Sequence, residues 1–126
     1  MKLTYIFIIL FVYNSISAQL KTITDKTTYP FWINVPEKES TEKQPILIFL
    51  HGKSLSGTDL NRVRRYGVLR AMDKGRKIPA IVVAPQLAKG SWNPDKVLEV
   101  LEYVQKNYNT DSTRIYVCGM SLGGYG

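Results

Sequence analysis

Residues 114–124 read Arg-Ile-Tyr-Val-Cys-Gly-Met-Ser-Leu-Gly-Gly, and this stretch decides the fold. Its first part, Ile115–Cys118, is an unbroken apolar run with the length of a buried strand. The pattern Gly-x-Ser-x-Gly follows at once, with Ser121 between Gly119 and Gly123. A turn this tight between a strand and a helix leaves no space for side chains at the flanking positions, which explains the glycines. We therefore expect a strand, a sharp turn that carries Ser121, and then a helix.

Ser121 is a candidate nucleophile because of where this turn places it. At the start of a helix, free backbone N–H groups and the helix dipole favour a negative charge that develops nearby. The N–H of Leu122, the next residue, is the expected donor to such an oxyanion. A phosphate-binding loop of the P-loop type is excluded, since no lysine follows the glycines.

Two more apolar runs, Pro45–Leu50 and Ile81–Ala84, resemble Ile115–Cys118 in length and composition. Apolar runs without alternation suit strands that are buried on both faces, as in a parallel sheet covered by helices. Tyr29–Pro36 predicts a further strand, and Pro30 within it favours a position at the sheet edge.

The segments between these strands have helical character. Thr58–Lys74 predicts a helix that Gly67 divides into two pieces. Asn93 and Pro94 are typical of a helix N-cap and its first residue. The helix after them has an apolar stripe at helical spacing, formed by Val97, Leu101, Val104 and Tyr108. Alternating strands and helices predict a three-layer α/β-hydrolase-type fold with a mostly parallel sheet, incomplete at its C-terminus.

The loop after Leu50 reads His51-Gly52-Lys53 and is the expected source of a second oxyanion donor. The backbone N–H of Lys53 is the first choice, and His51 and Gly52 belong to the same oxyanion loop. His51 is the only histidine, so it could also be the general base of Ser121. A loop-orienting role is favoured, because the base follows the serine in the α/β-hydrolase order.

The loop after Ile81–Ala84 ends on the same side of the predicted sheet, where ligands bind in open parallel sheets. Gln86 and Trp92 in this loop are therefore candidates for substrate binding, with ordinary loop packing as the alternative. Cys118 lies within an apolar run, which indicates a small core residue and not a reactive thiol.

The N-terminus has the pattern of a secretory signal peptide. Met1 and Lys2 supply a positive end, residues 3–12 are almost wholly apolar, and short residues lead up to Ala18. The apolar run is too short for a bilayer-spanning helix, which needs roughly 20 residues. We expect residues 1–18 to be removed by cleavage near Ala18, and residues 19–126 to be secreted or periplasmic.

The charge and cysteine content of the 126 residues exclude other classes of protein. Much of the net charge of +7 lies between Arg62 and Lys77, where seven basic residues accompany one acid, Asp73. Such a run can bind nucleic acid, but no nucleic-acid motif accompanies it, so we expect a solvated helix face. A single cysteine excludes an intrachain disulfide. No motif predicts a metal or a cofactor.

Together these residues resemble the secreted α/β-hydrolase esterases of the phospholipase/carboxylesterase and polyhydroxybutyrate-depolymerase-like type. The family includes feruloyl and acetyl esterases and prolyl-oligopeptidase-like peptidases. The resemblance runs from about Tyr29 to Gly126 and is most specific in residues 114–126. It implies a serine esterase that forms an acyl-enzyme on Ser121. Its expected substrate is a small-molecule or polysaccharide-linked ester, with no nucleic acid partner and no stable membrane anchor.

In this family an acidic residue and a histidine follow the nucleophile and complete the catalytic triad. Here the candidate acids Asp59, Asp73, Asp95 and Asp111 all precede Ser121. We therefore expect residues 19–126 to be the N-terminal part of a hydrolase domain, inactive alone and with an unpaired apolar edge at its last strand. The alternatives are a peptidase or acyltransferase on the same fold, and a non-catalytic domain that binds carbohydrate or protein.

Overall fold

The computed structural model describes residues 19–36 and 41–126, so the predicted signal peptide lies outside the described residues. Within these residues there are five strands: β1 (Gln19–Ile23), β2 (Phe31–Val35), β3 (Gln44–Leu50), β4 (Ile81–Pro85) and β5 (Thr110–Gly119). The α-helices are α1 (Val68–Asp73) and α2 (Pro94–Asn107). Three short 3₁₀ helices span Lys53–Leu55, Leu60–Arg64 and Ser121–Tyr125.

The five strands form one mixed sheet in the order β1-β2-β4-β3-β5. β3 is parallel to both β4 and β5, as the three apolar runs predict. β2 is antiparallel to both of its neighbours, β1 and β4, so the prediction of a mostly parallel sheet is corrected to a mixed one. The sequence did not reveal β1, because its polar residues Gln19, Lys21 and Thr22 hide a strand that is mostly exposed.

The expected edge position of the second strand is also wrong, since β2 pairs on both sides. Pro30 lies just before the first residue of β2 and so removes no N–H from the ladder. Its carbonyl accepts a hydrogen bond from the Gln86 N–H at 2.8 Å. A proline directly before a strand therefore does not require that strand to lie at an edge.

Apolar side chains cover both faces of the sheet around β4. Ile81 and Val83 belong to one cluster, which also contains Val100 and Val104 of α2. Val82 and Ala84 belong to the other cluster, which contains Val63 and Leu69 from the segment around α1. This alternation follows from the two-residue period of a strand. The core therefore lies on both faces of β4 and fixes the position of its C-terminal end, from which the loop with Gln86 continues.

The two predicted helical segments form with small adjustments. The Asn93 side chain accepts hydrogen bonds from the N–H groups of Asp95 (2.9 Å) and Lys96 (3.4 Å), as expected of an N-cap. The buried centre of α2 is Val100 and Val104; the predicted stripe omitted Val100. The expected break at Gly67 is confirmed, because Gly67 has φ 79° and precedes α1.

β5 differs from the other strands of the parallel part in its exposure. Among the described strands it pairs only with β3, so its outer edge is open. Tyr116 and Val117 are 55% and 59% exposed. Cys118 is exposed as well, which corrects its prediction as a core residue. Burial was inferred from apolar composition, but no helix of the described residues covers this end of the sheet.

None of the described helices is long and apolar enough to cross a membrane.

Candidate active site

The turn that carries Ser121 begins where β5 ends. Gly119 is the last residue of β5, Met120 follows, and Ser121 starts a 3₁₀ helix. Ser121 has φ 50°, and it is the one non-glycine residue with positive φ in the described part of the chain. A left-handed conformation costs an L-residue on the order of 1–2 kcal/mol. The surrounding structure must therefore hold Ser121 in place.

The neighbouring glycines allow this conformation. A Cβ atom on Gly119 would overlap the carbonyl group of Gly123. A Cβ atom on Gly123 would overlap the carbonyl group of Leu50, the last residue of β3. Backbone atoms on both sides leave no way to relieve these overlaps. The expectation that the flanking positions cannot carry side chains is confirmed. Gly124 is different, because the nearest atom to its Cβ position is 3.8 Å away.

The two predicted oxyanion donors, the N–H groups of Lys53 and Leu122, belong to neighbouring loops. Leu50 of β3 is the register partner of Gly119 of β5, so the loops after these parallel strands lie side by side. The Met120 N–H donates to the Leu50 carbonyl at 3.1 Å and ties the two loops together. Lys53 begins a 3₁₀ helix, and Leu122 lies in the first turn of another. Within the described residues, neither N–H donates a hydrogen bond outside its own helix.

His51 is fully buried, and both of its ring nitrogens are engaged. The Leu87 N–H donates to Nε2 at 3.0 Å, so Nε2 carries no proton. Nδ1 then carries the proton and donates it to the Gly52 carbonyl at 2.8 Å. Burial lowers the pKa of His51 and favours this neutral form. Neither nitrogen is free to accept a proton from Ser121, so the geometry supports the loop-orienting role.

Gln86 and Trp92 are also buried beneath this edge of the sheet. The Gln86 amide donates to the Leu55 carbonyl at 2.8 Å. The Trp92 indole donates to the His51 carbonyl at 3.0 Å, and its ring packs edge-on against His51 at 4.9 Å. Their buried positions agree with the packing alternative and not with direct substrate contact. Both side chains support the loop from below.

An open cleft of about 500 Å³ lies above this support, directly beside the serine turn. It is lined by Lys53, Ser56, Ala88, Lys89, Gly90, Ser91 and Leu122. The cleft therefore adjoins both candidate oxyanion donors. A larger cavity of about 660 Å³ lies at the opposite end of β4, beside the residues that lead into that strand.

Arg62 and Tyr66 contact the loop after β3, and the sequence assigned neither of them to the site. The Arg62 guanidinium donates to the carbonyls of Ser54 (3.0 Å) and Leu55 (3.4 Å). The Tyr66 hydroxyl lies 2.9 Å from the Ser54 hydroxyl. Arg62 is thus no part of a solvated helix face. Contacts across seven to twelve residues in irregular chain leave no periodic signal in a sequence.

The rest of the basic run matches its prediction more closely. Arg64 pairs with Asp73 at 2.6 Å and packs over the Trp32 ring, and this pairing raises its pKa. The other basic side chains of the run are exposed, namely Arg65, Arg70, Lys74, Arg76 and Lys77. In the part of the chain that the structure describes, no three or more potential metal ligands come together.

No protein-family model matches this sequence, and no curated protein matches it. Solved structures do match the fold. A thermostable esterase is similar with a TM-score of 0.63 and 28% identity over 85% of this chain and 36% of the esterase. A ferulic acid esterase from the anaerobic fungus Anaeromyces mucronatus is similar with a TM-score of 0.52 and 17% identity, over 85% of this chain and 50% of that one.

An acylaminoacyl peptidase from Pyrococcus horikoshii is similar with a TM-score of 0.53 and 18% identity, over 86% of this chain and 20% of the peptidase. The chain thus spans half or less of the length of these three proteins. Over most of its own length the chain is similar in fold to these two esterases and this peptidase, which is consistent with an α/β-hydrolase fold.

Proposed function

We propose that Ser121 is the nucleophile of a serine hydrolase that cleaves carboxylic esters through an acyl-enzyme. The observation that carries the proposal is the conformation of Ser121, with φ 50° between two glycines that cannot accept a Cβ atom. Residues with strained backbone conformations cluster at active sites, where the surrounding structure holds them in place. In the nucleophile turn of an α/β hydrolase this strain exposes the serine hydroxyl above the sheet. The exposed Ser121 side chain meets that description.

The first half of the reaction uses groups on both loops. The Ser121 oxygen attacks the carbonyl carbon of the ester, and the π electron pair of that carbonyl moves to its oxygen. The N–H groups of Leu122 and Lys53 donate to this oxyanion, and one such donor contributes roughly 3–4 kcal/mol. Collapse of the tetrahedral intermediate breaks the bond to the alcohol oxygen, which takes up the proton removed from Ser121, and the acyl group stays on Ser121. Water then releases the acid by the same steps in reverse order.

The proton of Ser121 needs a base of imidazole type. His51 is unsuited, since both of its nitrogens are bound to backbone groups. The α/β-hydrolase order places the catalytic acid and histidine after the serine. The activity we propose therefore requires an acid and a histidine that follow Ser121 in the full-length gene product.

A fluorophosphonate probe tests the proposal, because it reacts with activated serine hydroxyls. We expect the full-length gene product to be labelled on the peptide that contains Ser121, and Ser121→Ala to abolish labelling. Ser112→Ala is the matched control, since Ser112 is an exposed serine at the start of the same strand. Labelling that survives Ser121→Ala would overturn the proposal.

The reaction class requires a substrate panel. We expect turnover of short acyl esters or feruloyl esters, with slower cleavage of acylated peptides. Faster cleavage of the peptides would instead favour a peptidase, a class to which the structurally similar Pyrococcus horikoshii enzyme belongs. Binding of carbohydrate or protein without any turnover would favour a non-catalytic domain.

We also propose export, with cleavage after Ala18. The support is the charged, apolar and short-residue order of residues 1–18. Sequencing of the N-terminus of protein recovered from the medium or periplasm should give Gln19 as the first residue. Protein that stays inside the cell with Met1 intact would contradict this proposal.

A further inference from the structure

Tyr66 has a position beside Ser121 that its place in the sequence does not suggest. It lies between the 3₁₀ helix Leu60–Arg64 and α1, in the irregular segment before Gly67. The chain fold brings its hydroxyl back to the loop after β3, where it lies 2.9 Å from the Ser54 hydroxyl. Tyr66 as a whole is partly buried.

The position of Gly52 shows how close this hydroxyl is to the serine. A Cβ atom on Gly52 would lie 2.9 Å from the Tyr66 hydroxyl oxygen and 3.5 Å from the Ser121 Cβ atom. The carbonyl oxygen of Met120 would lie 3.1 Å from the same point. The Tyr66 hydroxyl oxygen and the Ser121 Cβ atom therefore both border the same small space above Gly52, and their separation is at most the sum of these two distances. Gly52 keeps this space open.

The chemistry of the two hydroxyls suits hydrogen bonding to a substrate. A hydroxyl can donate one hydrogen bond and accept two. When Ser54 donates to Tyr66, the Tyr66 proton is free for a third group. In the described residues, Ser54 is the one hydrogen-bond partner of the Tyr66 hydroxyl. The remaining donor capacity thus lies next to Ser121, on the side of the Gly52–Lys53 loop.

We infer that Tyr66 is a catalytic residue that donates a hydrogen bond to the carbonyl oxygen of the substrate as that oxygen becomes negative. It acts together with the N–H groups of Leu122 and Lys53. Tyr66 keeps its own proton throughout, and the only electron pair that moves to the oxygen is the π pair of the carbonyl. Ser54 is a positioning residue that holds the Tyr66 hydroxyl. The inference rests on the proposed function of Ser121.

Tyr66→Phe tests the inference, since it removes the hydroxyl and keeps the ring. In the full-length gene product, kcat for p-nitrophenyl acetate should fall about 100-fold, as when one oxyanion donor is lost. KM should change little, because the contact strengthens only in the transition state. Tyr103→Phe on α2 is the matched control, because Tyr103 packs on Phe31 away from the site, and it should leave kcat unchanged.

A transition-state analogue separates catalysis from packing. A trifluoromethyl ketone forms a tetrahedral adduct with an oxyanion on the serine, so its inhibition constant should rise in Tyr66→Phe by the factor by which kcat/KM falls. If Tyr66 only packed, Tyr66→Phe would lower the melting temperature, but the inhibition constant would not rise in proportion to the loss in kcat/KM. Ser54→Ala should lower kcat about threefold to tenfold at constant KM, because the Tyr66 hydroxyl is then less well positioned. It replaces Tyr66→Phe if that variant does not fold.

Three results would overturn the inference. They are a Tyr66→Phe enzyme with wild-type kcat, a loss confined to KM, and an unchanged inhibition constant for the ketone. Wild-type protein that is not labelled at Ser121 by the fluorophosphonate probe would remove the proposed function and the inference with it. The labelling and the variant kinetics are separate measurements, so the two failures are distinguishable.

Discussion

The serine turn after β5 and the loop after β3 lie side by side, but they are held in place by different means. Backbone contacts hold the turn. The Met120 N–H donates to the Leu50 carbonyl, and backbone carbonyl groups occupy the space that a Cβ atom on Gly119 or Gly123 would need. Side chains from distant parts of the chain hold the loop, and they belong to Arg62, Tyr66, Gln86 and Trp92. The first arrangement is encoded locally and the second is not.

The largest expected effect comes from breaking the local arrangement. Gly123→Ala places a methyl group on the Leu50 carbonyl, which cannot move without disturbing β3. We expect a loss of about 3 kcal/mol in the free energy of unfolding, the upper range for an overpacked site. Urea denaturation of the full-length gene product measures it. Gly124→Ala is the control and should stay within about 0.5 kcal/mol of wild type; equal losses would contradict the account of the turn.

Arg62→Ala tests the loop by removing two hydrogen bonds to its carbonyls. A hydrogen bond from a charged group contributes about 1.5–3 kcal/mol to the free energy of unfolding. Because Arg62 is partly exposed, we expect the substitution to lower that free energy by an amount near the lower end of this range. We expect kcat to fall about tenfold, because a loose loop misplaces the Lys53 N–H. Steady-state kinetics and urea denaturation measure both effects. Arg65→Ala, an exposed neighbour, should change neither; similar losses in both variants would show that Arg62 acts only through charge.

Two tryptophans provide a matched test of the same point. Trp92 donates to the His51 carbonyl in the site, and Trp32 donates to the Leu60 carbonyl away from it. Each substitution to Phe should cost about 1 kcal/mol of stability, the net contribution of one hydrogen bond. Only Trp92→Phe should also lower kcat. If Trp32→Phe lowered kcat equally, the loop would not depend on its own support.

The last expected effect is a pH dependence of stability. Burial lowers the pKa of His51 in the folded state below its value of 6.5 in an unfolded chain. The stability that the neutral ring contributes is therefore complete above pH 6.5 and is lost as the pH falls below it. The slope can reach about 1.4 kcal/mol per pH unit for one proton. Urea denaturation between pH 7 and pH 5 should show this slope, and His51→Asn should flatten it. A slope unchanged by the substitution would assign it to other groups.

The same contrast explains what the sequence could predict. The apolar runs of β3, β4 and β5 and the cap at Asn93 are local patterns, and the structure has each of them. The steric need for Gly119 and Gly123 is local as well. β1 was missed because its polar residues carry no strand pattern, and Cys118 was misplaced because burial depends on what covers a strand.

The candidate site was predictable only in part for the same reason. Ser121 and Leu122 lie within a recognisable motif and Lys53 lies in the loop directly after β3, so local sequence is enough to propose all three. Tyr66 and Arg62 reach the loop through irregular chain, and no spacing rule connects them to Ser54. Gln86 and Trp92 follow β4 in the sequence, but whether they bind substrate or support the loop depends on burial, which a single sequence does not reveal.

The central claim is that Ser121 carries an acyl group during turnover. Rapid acid quenching of the full-length gene product with p-nitrophenyl acetate, followed by peptide mass spectrometry, tests it directly. The account predicts a burst of one p-nitrophenol per active site and an acetyl group on the peptide that contains Ser121. Turnover with no burst and no acetylated Ser121 peptide, or an acetyl group on another residue, would contradict it.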